Sequence, residues 1–173
     1  MTLHRKIGAA VDDPQTSPAA LAFMDSYLDS LKMVERLHRL LLDVVKDEFE
    51  RLGILDVSPI QALLMFNVGD NEVTAGELKS RGYYQGSNVS YNLKKLVEAG
   101  FMHHERSEID RRSVRVRLTE KGRGIHDVVS RLFATHSNGL LTRQVIDQAG
   151  IEDINGALRR MERYWTEQIR YIY

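Results

Sequence analysis

Ser87, Asn88, Ser90, Tyr91, Asn92, Lys94 and Lys95 place hydroxyl, amide, phenol and ammonium groups within nine consecutive residues. Each type has a partner in duplex DNA. An asparagine amide pairs bidentately with adenine, and a lysine contacts guanine or phosphate. Hydroxyls and backbone N–H groups at a helix start bind phosphate. Val89, Leu93, Leu96 and Val97 recur among them at helical spacing, so a helix here has an apolar and a polar face. The plainer alternative is that Ser87 caps the helix and the lysines are solvated, since many contacts to nucleic acid go to the backbone and are easily replaced.

Gly100 ends that helix, and the period changes. Val114, Val116 and Leu118 alternate with Ser113, Arg115 and Arg117, the pattern of a half-buried strand. Between them runs a charged tip from Glu105 to Arg112, in which Arg106, Arg111 and Arg112 are candidate DNA contacts. An extended guanidinium at a hairpin tip can enter the narrow minor groove. Arg115 and Arg117 share a strand face and fit a charged outer surface equally well. A polar-faced helix followed by a hairpin with a basic tip outlines a winged helix-turn-helix, in which the helix (about 86–99) enters the major groove and the wing (about 104–117) follows the backbone.

Charge distribution agrees. Over 173 residues, 24 Lys+Arg balance 24 Asp+Glu, which gives no general affinity for polyanions. From Lys79 to Arg123, however, eleven basic residues face five acidic ones, so that stretch is +6 and the remainder −6. A localised phosphate-binding footprint requires such segregation.

The positioning elements follow from caps and periods. Ser17-Pro18 starts a helix in which Leu21, Met24, Leu28, Leu31, Leu37, Leu41, Val45, Phe49 and Leu52 follow three- and four-residue steps up to Gly53. At 1.5 Å per residue it is about 50 Å long, too long for a small domain to cover. Ser58-Pro59 starts a second helix, with Ala62, Leu63, Leu64 and Phe66. Thr74 caps a third at Ala75, with Glu77 at the capping-box position. Gly82 to Gly86 turns the chain into the polar-faced helix. Thr119-Glu120-Lys121-Gly122 leaves the hairpin for a helix with Ile125, Val128, Val129, Leu132 and Phe133. After a break around Thr142 to Gly150, a last helix carries Ile151, Ile154, Leu158, Met161, Trp165 and Ile169. The expected class is mainly α (α+β): a winged helix-turn-helix (58–122) after a mobile arm (1–17) and a dimerisation helix (18–57), with C-terminal helices (123–173) completing a two-fold homodimer interface.

Other classes are disfavoured. The absence of cysteine excludes disulfides and thiol redox sensing. No apolar run approaches the roughly 20 residues of a membrane span, and the N-terminus lacks a signal-like apolar core, so a cytoplasmic location is expected. His103 and His104 point to opposite strand faces, and His126 and His136 do not align on a helix, so no metal is expected. No phosphate-binding glycine loop, metalloprotease motif or nucleophile elbow is present. Neither an enzyme nor a cofactor is therefore expected. A winged-helix module that binds protein instead of DNA is the alternative.

Taken together, Ser87-Asn88-Val89-Ser90, Ala99-Gly100-Phe101, Asp110-Arg111-Arg112 and Leu118-Thr119-Glu120-Lys121-Gly122 resemble the MarR family of bacterial winged-helix regulators from Ser17 onward, most like the LdtR type. The family often has arginine where Tyr91 and His104 stand here. The resemblance implies that Asp110 braces a neighbouring arginine of the wing. It also implies that a small aromatic or phenolic effector enters a groove lined by His38, Leu41, Val45, Leu63 and Phe66. A neutral imidazole among aliphatic groups suits an acidic ligand, and His38 fits a core position at the dimer seam equally well. The implied function is a homodimeric, ligand-responsive regulator on a pseudopalindromic operator.

Overall fold

Ser17 Oγ accepts from the Ala20 amide at 3.2 Å and opens α1 (Pro18–Leu52), 35 residues long. Ser58 and Gln61 form a reciprocal capping box at the start of α2 (Pro59–Val68), which satisfies two amide donors that a helix start leaves orphaned, while Pro59 has no amide hydrogen to leave orphaned. Then follow β1 (Val73–Thr74), α3 (Ala75–Ser80), α4 (Gly86–Glu98), β2 (Met102–Arg106), β3 (Val114–Leu118), α5 (Glu120–Thr142) and α6 (Gln148–Ile172). The structure, a computed structural model, describes residues 17–80, 86–106 and 114–172. The expected turn before Gly86 and the tip of the wing lie outside them. The molecule is mainly helical with one small antiparallel sheet, the winged helix architecture expected from the sequence.

The capping pair expected at Thr74 is present: its Oγ1 accepts from the Glu77 amide, and a Glu77 carboxylate oxygen accepts from the Thr74 amide. β1 was not expected. Two residues are too short to show a period, yet Val73 and Thr74 pair with Val116 and Arg115 on the edge of β3 that β2 leaves open, giving strand order β1-β3-β2. Pairing saturates backbone groups that an open edge would expose.

The core lies where α2 meets α5 and the sheet. Ala62, Leu63, Leu64, Met65 and Val68 are buried around α2, with Val45 and Phe49 from the end of α1 and Ile125, Val129 and Leu132 from α5. The ends of the chain do not share in it. Leu21, Met24, Leu28 and Leu37 of α1 are exposed, as are Ile151, Ile154, Leu158, Trp165 and Ile169 of α6. No described residue of α6 is buried, and the helix makes only marginal backbone approach to the rest of its own chain. Among the described residues no helix is long and apolar enough to cross a membrane.

Candidate nucleic-acid interface

The apolar residues of α4 decide how its polar ones are presented. Val89, Leu93 and Leu96 are buried in the core, which turns Ser90, Tyr91, Lys94 and Lys95 outward and leaves Asn92 half-buried. Ser87 and Asn88 belong to the first turn, one residue inside a helix that begins at Gly86; their side chains lie outside the described residues. The far end of α4 is pinned. Gly100, at φ 75°, is in the left-handed region that favours glycine. Its amide donates to the Val97 carbonyl, and the Phe101 amide donates to that of Leu96 at 2.9 Å. Phe101, 1% exposed, anchors the exit into β2.

The charges on this face are already paired with each other. Glu98 lies 3.8 Å from the Lys94 ammonium and 3.5 Å from that of Lys95. All three groups are about half exposed or more, so the pairs contribute little to stability. The Lys95 ammonium also sits 6.0 Å from the centre of the Tyr91 ring.

The wing stands beside this helix. β2 and β3 pair from Met102↔Leu118 to Arg106↔Val114. Met102, Val116 and Leu118 are buried, whereas His103, His104, Glu105, Arg115 and Arg117 face solvent. Arg115 and Arg117 form ion pairs at 3.1 Å with Glu72 and Glu105, which favours the charged outer surface over a direct role in DNA contact. Arg106 is the last residue of β2. Its side chain, and Asp110, Arg111 and Arg112 entirely, lie outside the described residues. An open cavity of about 300 Å³ separates α4 from the sheet, with Leu93, Val97 and Val116 beneath and Ser90, Lys94, Glu98 and His104 around it.

What holds helix and wing in one frame is the Leu-Thr-x-x-Gly string, whose mechanical role is not apparent from residue types alone. The Thr119 hydroxyl donates to the Gly100 carbonyl at 2.8 Å and accepts from the Gly122 amide, while the Thr119 amide donates to the carbonyl of Phe101. Gly122 is required by contact: a Cβ there would stand 2.1 Å from the Phe101 carbonyl oxygen. Lys121 reaches Asp56 and the Ala99 carbonyl, each at 3.3 Å, with its ammonium 3.8 Å from the centre of the Phe101 ring. One lysine thus ties the α1–α2 connection to the end of α4.

The residues expected to receive an effector divide. Val45 and Leu63 are closed into the core. Phe66 is half-buried, stacked on His126 with centroids 5.5 Å apart and edge-on to Phe133 at 5.0 Å. His38 and Leu41 are exposed on α1. Farther along, an open cavity of about 920 Å³ lies between Leu21, Phe23, Met24 and Tyr27 of α1 and Met161, Tyr164 and Trp165 of α6.

A core-anchored helix with a polar outer face, a three-stranded sheet and a wing define a winged helix DNA-binding protein, and residues 57–122 match the winged helix DNA-binding domain family. Over 170 residues the chain is 34% identical to the exopolysaccharide II synthesis transcriptional activator ExpG of Rhizobium meliloti (strain 1021), covering 98% of this chain and 85% of that protein. In fold it is similar to a Listeria monocytogenes MarR-family regulator solved with a 26mer DNA (TM-score 0.68, 15% identity, 82% of this chain and 92% of that one). It is also similar to Staphylococcus aureus MarR in complex with salicylate and kanamycin (TM-score 0.65, 16% identity, 84% and 94%). The chain belongs to the family of transcriptional regulators that includes ExpG, with a winged helix DNA-binding domain, and it has the fold of MarR-family regulators.

Proposed function

We propose that the protein is a homodimer that binds a pseudopalindromic operator through α4 and the wing, with its affinity lowered or raised by a small aromatic or phenolic acid. The observation that carries DNA contact is the orientation of α4, whose buried Val89, Leu93 and Leu96 hold Ser90, Tyr91, Lys94 and Lys95 outward beside the wing. To these contacts we add Arg106, Arg111 and Arg112 on residue type and sequence position, and we retain for Asp110 the bracing role that the family resemblance implies. Dimerisation is supported by α6, none of whose described residues is fully buried within its own chain while Ile151, Ile154, Leu158, Trp165 and Ile169 stay exposed. Two recognition helices related by a dyad read half-sites about one helical turn apart.

The relative's name makes exopolysaccharide genes the first place to seek the operator, ahead of the cell-wall transpeptidase genes that an LdtR-type resemblance implies. The effector site we assign keeps His38 and Leu41, which are exposed on α1, and the half-buried Phe66 of α2 as its candidate contacts. The salicylate of the Staphylococcus aureus neighbour supports an aromatic acid as its occupant.

Titration of labelled duplex at two salt concentrations tests the reading. Each phosphate neutralised contributes a slope of about −0.9 in log affinity against log salt; a protein-binding module shows weak, salt-independent binding or none. In the second arm, salicylate shifts the affinity for duplex of the wild type but not of Leu41→Trp, whose indole fills the assigned site. A mutant that responds like the wild type places the effector elsewhere.

A further inference from the structure

We propose that Tyr91 sets one base of each half-site as thymine, by contact of its ring with the C5 methyl group; this rests on the operator-binding reading above. Large apolar side chains left exposed cluster on α1, on the α1–α2 connection, around the end of α5 and on α6. Between Ile60 and Leu140, Tyr91 is the only one among the described residues, at 62% exposure. It is far in sequence from the uncovered helical stripes and belongs to the DNA-facing unit. Standing out from the polar face of the recognition helix, the ring lies where a docked duplex would meet it.

Its position selects the partner. Tyr91 is the sixth residue of α4, on the helix face of Lys95 and Glu98 and opposite Val89, Leu93 and Leu96. The N-terminal turns of a recognition helix are those that meet base edges. In the major groove adenine, guanine and cytosine present hydrogen-bonding groups, whereas thymine adds an apolar methyl. A phenol ring cannot form the bidentate bonds of an arginine or asparagine, but it can cover a methyl group. Lys95, with its ammonium 6.0 Å from the ring centre, steadies the ring on one side and leaves the rest of it for a base.

The experiment begins by selecting a preferred site from randomised duplexes with the wild-type protein. Each thymine of that site is then replaced singly by deoxyuridine, which keeps every hydrogen-bonding group and removes only the methyl. The expected result is one position in each half-site where the wild type and Tyr91→Phe lose about fourfold in affinity, what burying one methyl group is worth, and where Tyr91→Ala loses nothing. The assignment is overturned if Tyr91→Ala keeps the wild-type sensitivity at every position, or if it weakens selected and random duplexes equally, as a phosphate contact would. A wild type that enriches no sequence and binds no duplex at low salt overturns operator binding itself, and this assignment with it.

Discussion

Glu98 is placed to moderate what Lys94 and Lys95 offer to DNA in the function proposed above. Its carboxylate stands within 4 Å of both Lys94 and Lys95, so phosphates must compete with it for those ammonium groups. Glu98→Gln removes the competitor and keeps the shape. We expect affinity for random duplex to rise by up to about fivefold, within the roughly 1 kcal/mol of an exposed ion pair, read by fluorescence anisotropy at low salt. Unchanged affinity would place these lysines off the DNA. The lysines and Tyr91 could be singled out from residue type and spacing. Their engagement with Glu98 and with each other could not, because i,i+3 and i,i+4 side chains have several rotamers and packing chooses among them.

Among the elements, the junction between Gly100 and Gly122 decides where the recognition helix points relative to the wing. Residue types there name a helix stop and a helix start. The structure adds that the two are one interlocked corner, with Thr119 bonded to Gly100 and Phe101 and with Gly122 pressed on the Phe101 carbonyl. Gly122→Ala must push backbone apart, and we expect about 1–3 kcal/mol of destabilisation. Gly124, also in α5, has nothing near its missing Cβ, so Gly124→Ala is expected to stabilise by about 0.5–1 kcal/mol through helix propensity. A thermal midpoint for Gly122→Ala that holds or rises alongside that of Gly124→Ala would show that the corner is not tight. Toward the end of α1, away from this corner, the Glu48 carboxyl is held below its ordinary range, first by the hydrogen bonds Arg51 donates at 2.8 and 2.6 Å, with His136 and Arg131 of α5 adding positive potential.

For the whole molecule, the uncovered helices dominate. An apolar stripe that runs from Ile151 to Ile169 with no buried residue is an aggregation liability unless another chain covers it. Charge placed at both Leu158 and Trp165 is expected to turn a soluble dimer into aggregate or unfolded chain, measured by size-exclusion chromatography with light scattering. A soluble, folded monomer would show that α6 needs no partner.

The sequence by itself determined the order of helices, the switch from helical to alternating period at Gly100, the capping residues Ser17, Ser58 and Thr74, and the concentration of positive charge from Lys79 to Arg123. These are local properties: each depends on residues within a few positions of one another. Only the tertiary structure decided that Val73–Thr74 forms a strand, since its partner, Arg115–Val116, lies about forty residues away. It also decided that Arg115 and Arg117 pair with Glu72 and Glu105, and that Val45 and Leu63 are buried in the same core as α5 residues far along the chain. Periodicity shows that a side chain is turned inward. What it meets there depends on how distant segments fill the same space, and no local pattern carries that.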